Sequence, residues 1–248
     1  MSARQFSKPK PVVSCNHDRL TLSFDELRVQ SEMRLDAPDE LVLGYTRTMM
    51  GFLLFNPRPA HIAMIGLGGG SLAKYCYASL AATTITVAEI DPDVIALRER
   101  FFIPPDDARL QVQCIDGAAF VSAARNQYDV LLLDAFDARG QPPNLATQRF
   151  YNDCLDCLTE RGIMVVNLTD IHTGFEPLLA RMRHAFSHAV IAIDAEDSTN
   201  RIVFAGRNGV LDVANEQLME RLEQLEEHLS LNLYRTVREI QWVSACKN

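Results

Sequence analysis

Residues 62–73 read Ile62-Ala63-Met64-Ile65-Gly66-Leu67-Gly68-Gly69-Gly70-Ser71-Leu72-Ala73, and the reading of this stretch decides the fold. The apolar run at 62–65 predicts a buried strand, the glycines at 66, 68, 69 and 70 predict a turn, and Ser71-Leu72-Ala73 opens a helix. Glycine allows positive φ and close approach of backbone to a ligand, and the first N–H groups of a helix are free to receive a polar oxygen. Two registers compete. Gly66-x-Gly68-x-Gly70 has the spacing of nucleoside-binding sheets, whereas Gly68-x-Gly70-x-x-Ala73 fits the dinucleotide fingerprint. A turn with no ligand is the remaining alternative, and so dense a run of glycines serves few purely structural needs.

Working outward, apolar strands are expected at 62–65, 85–90, 110–115, 130–133, 163–168 and 190–193, with a last one at 201–205. Helices fit between them at 71–80, 92–102, 117–125, 147–158 and 175–186. Apolar strands alternating with helices belong to a parallel sheet covered on both faces, so the fold class is α/β, doubly wound and mostly parallel. Asp91-Pro92 starts the second helix with a capping carboxylate and a proline in its first turn. Upstream, 19–24 and 27–33 alternate apolar and polar residues and predict a small hairpin, while 1–11 reads as loose. Apolar residues at 41, 45, 49 and 52 predict a helix over 40–55, capped by Asp39 and ended by Asn56-Pro57. Leu218, Leu222, Leu225 and Leu229 form the docking stripe of a C-terminal helix. The expected division is a β-hairpin region over 1–38 and a nucleoside-binding domain with a helical tail over 39–248.

Composition narrows the function classes. The 248 residues are 48% hydrophobic and 23% charged, with a net charge of −8, which disfavours a groove for nucleic acid. The apolar windows at 61–73 and 75–88 are interrupted by Lys74 and fall short of a membrane span of ~20 residues. The first residues carry no apolar signal core, and six scattered cysteines make no dense disulfide framework, so a cytoplasmic protein without a membrane partner is expected.

Acids follow the strands in order. Glu89 and Asp91 end the second; with Asp91 as the helix cap, Glu89 is the candidate acceptor for ribose hydroxyls. Asp116-Gly117 ends the third, where a carboxylate can meet an adenine amino group, a feature that dinucleotide sites do not systematically need. Asp134 and Asp137 end the fourth. The carboxyl edge of an open α/β sheet is where ligands bind.

The run Gly66–Ala73, Glu89-Ile90-Asp91, Asp116-Gly117 and Asp134-x-x-Asp137 resembles the spermidine synthase (polyamine aminopropyltransferase) family over roughly 19–206. The resemblance implies a class I methyltransferase-like (Rossmann-like) seven-stranded sheet preceded by a small β region. It implies transfer of the aminopropyl group of decarboxylated S-adenosylmethionine to an amine, without a metal, in a homodimer. It also places Gly66, Gly68, Gly69, Gly70, Glu89 and Ile90 on the donor, Asp116 and Gly117 on its adenine, Asp134 as acid/base and Asp137 on the amine acceptor. Independently, an alkylamine must lose a proton to attack a sulfonium carbon, and a carboxylate within reach can take it. Gln30-Ser31, in the region that covers the cleft in that family, is a further candidate for the donor.

The chain also departs from the family. Gly69 stands where the family carries an acid, and Asp39-Glu40 is followed by Leu41-Val42-Leu43-Gly44-Tyr45 in place of the family's Tyr-Gln-Glu run. After the paired acids, Ala138-Arg139-Gly140-Gln141-Pro142-Pro143 replaces Pro-x-Gly-Pro-Ala, and a guanidinium at Arg139 would repel a diamine. The donor site is expected to be kept and the acceptor site rewritten. Methyl transfer from intact S-adenosylmethionine is the second reading, favoured by Gly69; an NAD-linked or non-catalytic nucleoside-binding protein is the third. Cys154-x-x-Cys157 falls on a helix and reads as packing, His184 and His188 straddle a helix end and carry no metal, and Trp242 suits a contact surface.

Overall fold

The computed structural model describes residues 10–24, 29–135, 141–169, 174–197, 199–229 and 231–245. Strand β4 (His61–Ile65) lies at the centre of a seven-stranded sheet. Beside it run β5 (Thr84–Glu89) and then β6 (Leu110–Cys114) on one side, and β7 (Tyr128–Leu133) and β8 (Leu158–Thr169) on the other. All of these neighbours pair in parallel. Beyond β8 the order reverses. Strand β10 (Asn200–Gly206) inserts antiparallel between β8 and the edge strand β9 (Val190–Asp194). The short link from β9 to β10 explains this, because a hairpin can only join antiparallel strands, while the other links cross over through helices.

The seven strands fall where the sequence pattern predicts them, and period-two alternation assigns their faces. Ile62, Met64, Val130 and Leu132 enter one buried cluster; Ala63, Ile65, Leu131 and Leu133 enter the other. The second face is covered by α4 (Gly117–Ala123), α5 (Gln148–Cys157) and α6 (Phe175–Ala185). The first is covered by α2 (Ser71–Ser79), α7 (Asn215–His228) and α8 (Tyr234–Ala245). Leu218, Leu222 and Leu225 are buried as the leucine stripe predicts, and Arg221 donates to the Leu54 carbonyl. Leu229 caps the end of α7. Cys154 and Cys157 lie on the buried face of α5, where burial raises both thiols and leaves them inert.

Three expectations need correction. The N-terminal region is a three-stranded antiparallel sheet of β1 (Val12–Asn16), β2 (Arg19–Ser23) and β3 (Val29–Arg34), with the first strand unanticipated. Strand β1 is an edge strand, exposed at four of its five residues, so it carries no apolar face for a pattern to reveal. The helix expected over 40–55 shortens to α1 (Gly44–Met49) followed by a 3-10 turn over Met50–Leu54, and Asp39 does not cap it. Every residue of that turn is buried, so tertiary packing sets its path. The helix expected over 92–102 is only α3 (Pro92–Ile95), capped by Asp91 through the Asp93 N–H. Past it Phe102 takes φ 53°, and the chain folds back to lay Phe101 and Ile103 against the glycine turn.

Lys74 joins these parts. It is 1% exposed, and its ammonium donates to the Phe101 carbonyl at 2.9 Å and contacts Met33 Sδ of β3 at 2.9 Å. Burial lowers it from 10.5 to about 8, with Asp39 opposing. Because the unfolded chain holds this proton more tightly, charging Lys74 costs stability as pH falls from 10.5 through 8. Resistance to denaturant should therefore rise with pH across that window, and Lys74→Met should flatten the rise. A wild-type slope retained by the variant would assign it to other groups.

Candidate active site

The glycine turn leaves β4 and enters α2 through Gly66 (φ 95°), Gly68 (φ 53°) and Gly70 (φ 72°), all in the left-handed region that favours glycine. A Cβ on Gly66 would overlap the Asp134 carbonyl oxygen, so the first turn after β4 is packed directly on the end of β7. A Cβ on Gly69 would sit 2.6 Å from Ser31 Oγ and 2.9 Å from Phe101 Cδ1. Ser31 in turn lies 3.2 Å from the Ser71 hydroxyl at the start of α2, which seats β3 over the loop.

Glu89 ends β5 and is 8% exposed. One carboxylate oxygen accepts from the Leu67 N–H and the other from the Asp91 N–H, both at 2.8 Å. The side chain thus braces the glycine turn and the following helix, and each oxygen keeps a lone pair for a ribose hydroxyl. Ile90, the next residue, is 58% exposed. Asp116 caps α4, accepting from the Ala119 N–H at 2.9 Å, and its second oxygen accepts from Asn144 Nδ2 at 2.7 Å. A Cβ on Gly117 would overlap Ile65, which keeps α4 tight against β4.

Asp134 follows β7, and its N–H donates to the Ile65 carbonyl at 3.0 Å. Tyr45 Oη donates to Asp134 Oδ2 at 3.2 Å and Asn167 Nδ2 to Oδ1 at 2.9 Å. Burial raises the carboxyl above 3.8, while these two hydrogen bonds act to lower it. Burial and the Asp134 charge push the Tyr45 phenol well above 10, so it stays a donor. Gln30 reaches the site through its backbone, its carbonyl lying 3.4 Å from Tyr45 Oη. Asp137 and Arg139 lie outside the described residues.

Tyr45 is carried by α1, and α1 is clamped to the turn after β9. A Cβ on Gly44 would overlap the Glu196 carbonyl, the Glu196 N–H donates to Thr48 Oγ1 at 3.0 Å, and Arg47 Nε donates to Glu196 Oε2 at 3.0 Å. The sequence reading places residue 45 in an apolar helical stripe and counts the family's Tyr as absent from its run; the shortened helix turns Tyr45 to the carboxylate. The sequence reading does not single out Asn167. A polar residue inside the apolar strand 163–168, now 3% exposed, is the signal that points to it.

A parallel sheet with an antiparallel insertion near one edge, a glycine turn after its central strand and acids ending the next three strands defines the class I methyltransferase-like proteins. Within that class the chain belongs to the spermine/spermidine synthase family: residues 42–192 match the domain described as "Spermine/spermidine synthase domain". The polyamine aminopropyltransferase of Neisseria meningitidis (serogroup A) is 35% identical over 209 residues, covering 84% of this chain and 80% of that protein. A spermidine synthase solved with the transition-state analogue AdoDATO superposes with a TM-score of 0.63 at 18% identity, over 93% of this chain and 85% of the other. Human methyltransferase-like protein 13 in complex with SAH superposes with a TM-score of 0.68 at 25% identity, over 79% of this chain and 93% of the other.

Proposed function

We propose that this protein is an aminopropyltransferase that moves the aminopropyl group of decarboxylated S-adenosylmethionine to a small-molecule amine, with Asp134 as the proton acceptor. The observation that carries the reading is the Asp134 carboxylate, set at the carboxyl edge of the sheet beside the glycine turn, with one donor on each oxygen. Gly66, Gly68, Gly69, Gly70, Gln30-Ser31 and Ile90 line the donor's place, Glu89 takes the ribose and Asp116 with Gly117 takes the adenine. The acceptor ammonium gives a proton to Asp134. Its nitrogen lone pair then forms the new C–N bond as the carbon–sulfur bond breaks, and the bonding pair leaves on sulfur as a neutral thioether. Tyr45 and Asn167 hold the carboxylate during attack, and Asp137 holds the distal end of the acceptor. The N-terminal region over 1–38 serves as the cover of the donor site and 39–248 as the catalytic domain. A cytoplasmic homodimer suits this role, and no helix among the described residues is long and apolar enough to cross a membrane.

Methyl transfer from intact S-adenosylmethionine is the second reading. Gly69 faces a serine hydroxyl and a phenyl ring in place of the acid that a donor ammonium tail would favour. Calorimetry with S-adenosylmethionine, its decarboxylated form, methylthioadenosine and NAD, followed by mass spectrometry of a panel of amines, separates these readings. The decarboxylated donor should bind and add its aminopropyl group to one or more amines. Methyl transfer without aminopropyl transfer would establish the second reading. Binding of NAD alone would overturn both.

A further inference from the structure

Asn167 sits on β8 with its amide aimed both ways: its nitrogen donates to Asp134 Oδ1 at 2.9 Å, and its oxygen accepts from Asn200 Nδ2 at 2.9 Å. Asn200 is the first residue of β10, and in the antiparallel register Ile202 faces Asn167 while Asn200 faces Thr169, so the bond runs diagonally between strands. A side-chain amide has two nearly isosteric orientations. In one, Asn167 gives Asp134 a donor; in the other, it turns an oxygen toward a carboxylate oxygen and repels it. The acceptor-only carboxylate favours the first, and Asn200 reinforces it, because its Nδ2 donates to the Asn167 oxygen that the turned amide would withdraw.

Resting on the proposed role of Asp134, we infer that Asn200 is a positioning residue for the proton acceptor: it locks the amide of Asn167, and that amide fixes the carboxylate. The relay spans β10, β8 and the end of β7, so the antiparallel insertion of β10 has a use at the active centre as well as in the sheet. The titratable group facing Asp134 from α1 is Tyr45, whose hydroxyl stays protonated. The charged groups next along these elements are engaged elsewhere, Arg47 with Glu196 at 3.0 Å and Arg201 with Asp194 at 3.3 Å. Asn167 is the donor to Asp134 that Asn200 touches directly.

The test compares Asn200→Ala, Asn200→Asp and the conservative Asn200→Gln. Asn200→Ala should lower kcat/KM at pH 7 about tenfold and move its acid limb upward by about one pH unit, because the carboxylate loses part of its hydrogen bonding. Asn200→Asp should act more strongly, since the introduced carboxylate draws the Asn167 N–H away from Asp134. Asn200→Gln should recover part of the loss, and affinity for methylthioadenosine should be unchanged in all three. A second readout does not need turnover: the carboxyl carbon of Asp134 is followed by NMR in labelled protein, assigned by its loss in Asp134→Asn. Its titration midpoint should rise in Asn200→Ala. An unmoved midpoint, or a loss of methylthioadenosine affinity in step with activity, would overturn the relay. A wild-type protein with no transfer activity would defeat the proposed function instead, and the carboxyl titration would still decide the relay.

Discussion

Asp134→Asn should lower kcat about a thousandfold and leave methylthioadenosine affinity nearly unchanged, the scale expected for removal of a positioned general base. The substitution is close to isosteric. The introduced oxygen can still accept from Asn167 Nδ2, now at 2.9 Å from Oδ1, so the end of β7 should keep its path. The new amide nitrogen would meet Tyr45 Oη, which can reverse its hydroxyl and accept. What is lost is a base able to hold the acceptor's proton. The pH dependence follows with a definite sign. Only the ionised carboxylate accepts a proton, so activity falls as pH drops through the Asp134 pKa, which burial holds above 3.8. The variant should lack that limb while keeping a weak rise with pH from spontaneous loss of the amine proton. Near-wild-type turnover would remove Asp134 from the mechanism; a parallel loss of nucleoside affinity would make it a donor ligand.

The strand ends were legible in the sequence because backbone chemistry writes them locally. A glycine at positive φ, a carboxylate before a proline and an acid-glycine pair at a helix start each act within a few residues, so Gly66, Asp91 and Asp116 announce themselves. Strand faces were legible for the same reason, since alternation along 62–65 and 130–133 is a local period. The partners of Asp134 were not. Tyr45 lies 89 positions away in sequence, and its arrival depends on where a helix starts, which is set by the contact of Gly44 with Glu196. A helical period could assign residue 45 to a buried face but not to a carboxylate on another element. Asn167 left a trace as a polar residue in an apolar strand, yet its meaning depends on the diagonal pairing with Asn200, a matter of register between two strands. The sequence pattern puts Phe101 in a helix because the segment 92–102 has good helix formers. Burial against Gly69 and Gly70 outweighs that propensity of a few tenths of a kcal/mol per residue.

Gly66→Ala should be strongly damaging, costing about 3 kcal/mol of folding stability. Two penalties coincide there. The residue sits at φ 95°, where an L side chain is strained, and its new methyl would overlap the Asp134 carbonyl oxygen, a backbone atom that cannot rotate aside. Relief requires β4 and β7 to separate where the Asp134 N–H donates to the Ile65 carbonyl, which would carry the carboxylate away from the donor. Activity should therefore fall by more than stability alone dictates, even at a temperature where the variant is folded. Two other glycines grade the argument. Gly68 shares a positive φ of 53°, but a methyl there meets only Ser31 Cβ at 3.9 Å, so Gly68→Ala should cost about 1 kcal/mol, the dihedral part alone. Gly174, the cap of α6, has φ −98° and nothing within 4 Å of an added methyl, so Gly174→Ala should be near neutral. Denaturant unfolding of the three variants should rank them in that order. If Gly66→Ala unfolded with Gly68→Ala, the overlap with the end of β7 would have no energetic weight, and the coupling between the glycine turn and Asp134 would fail with it.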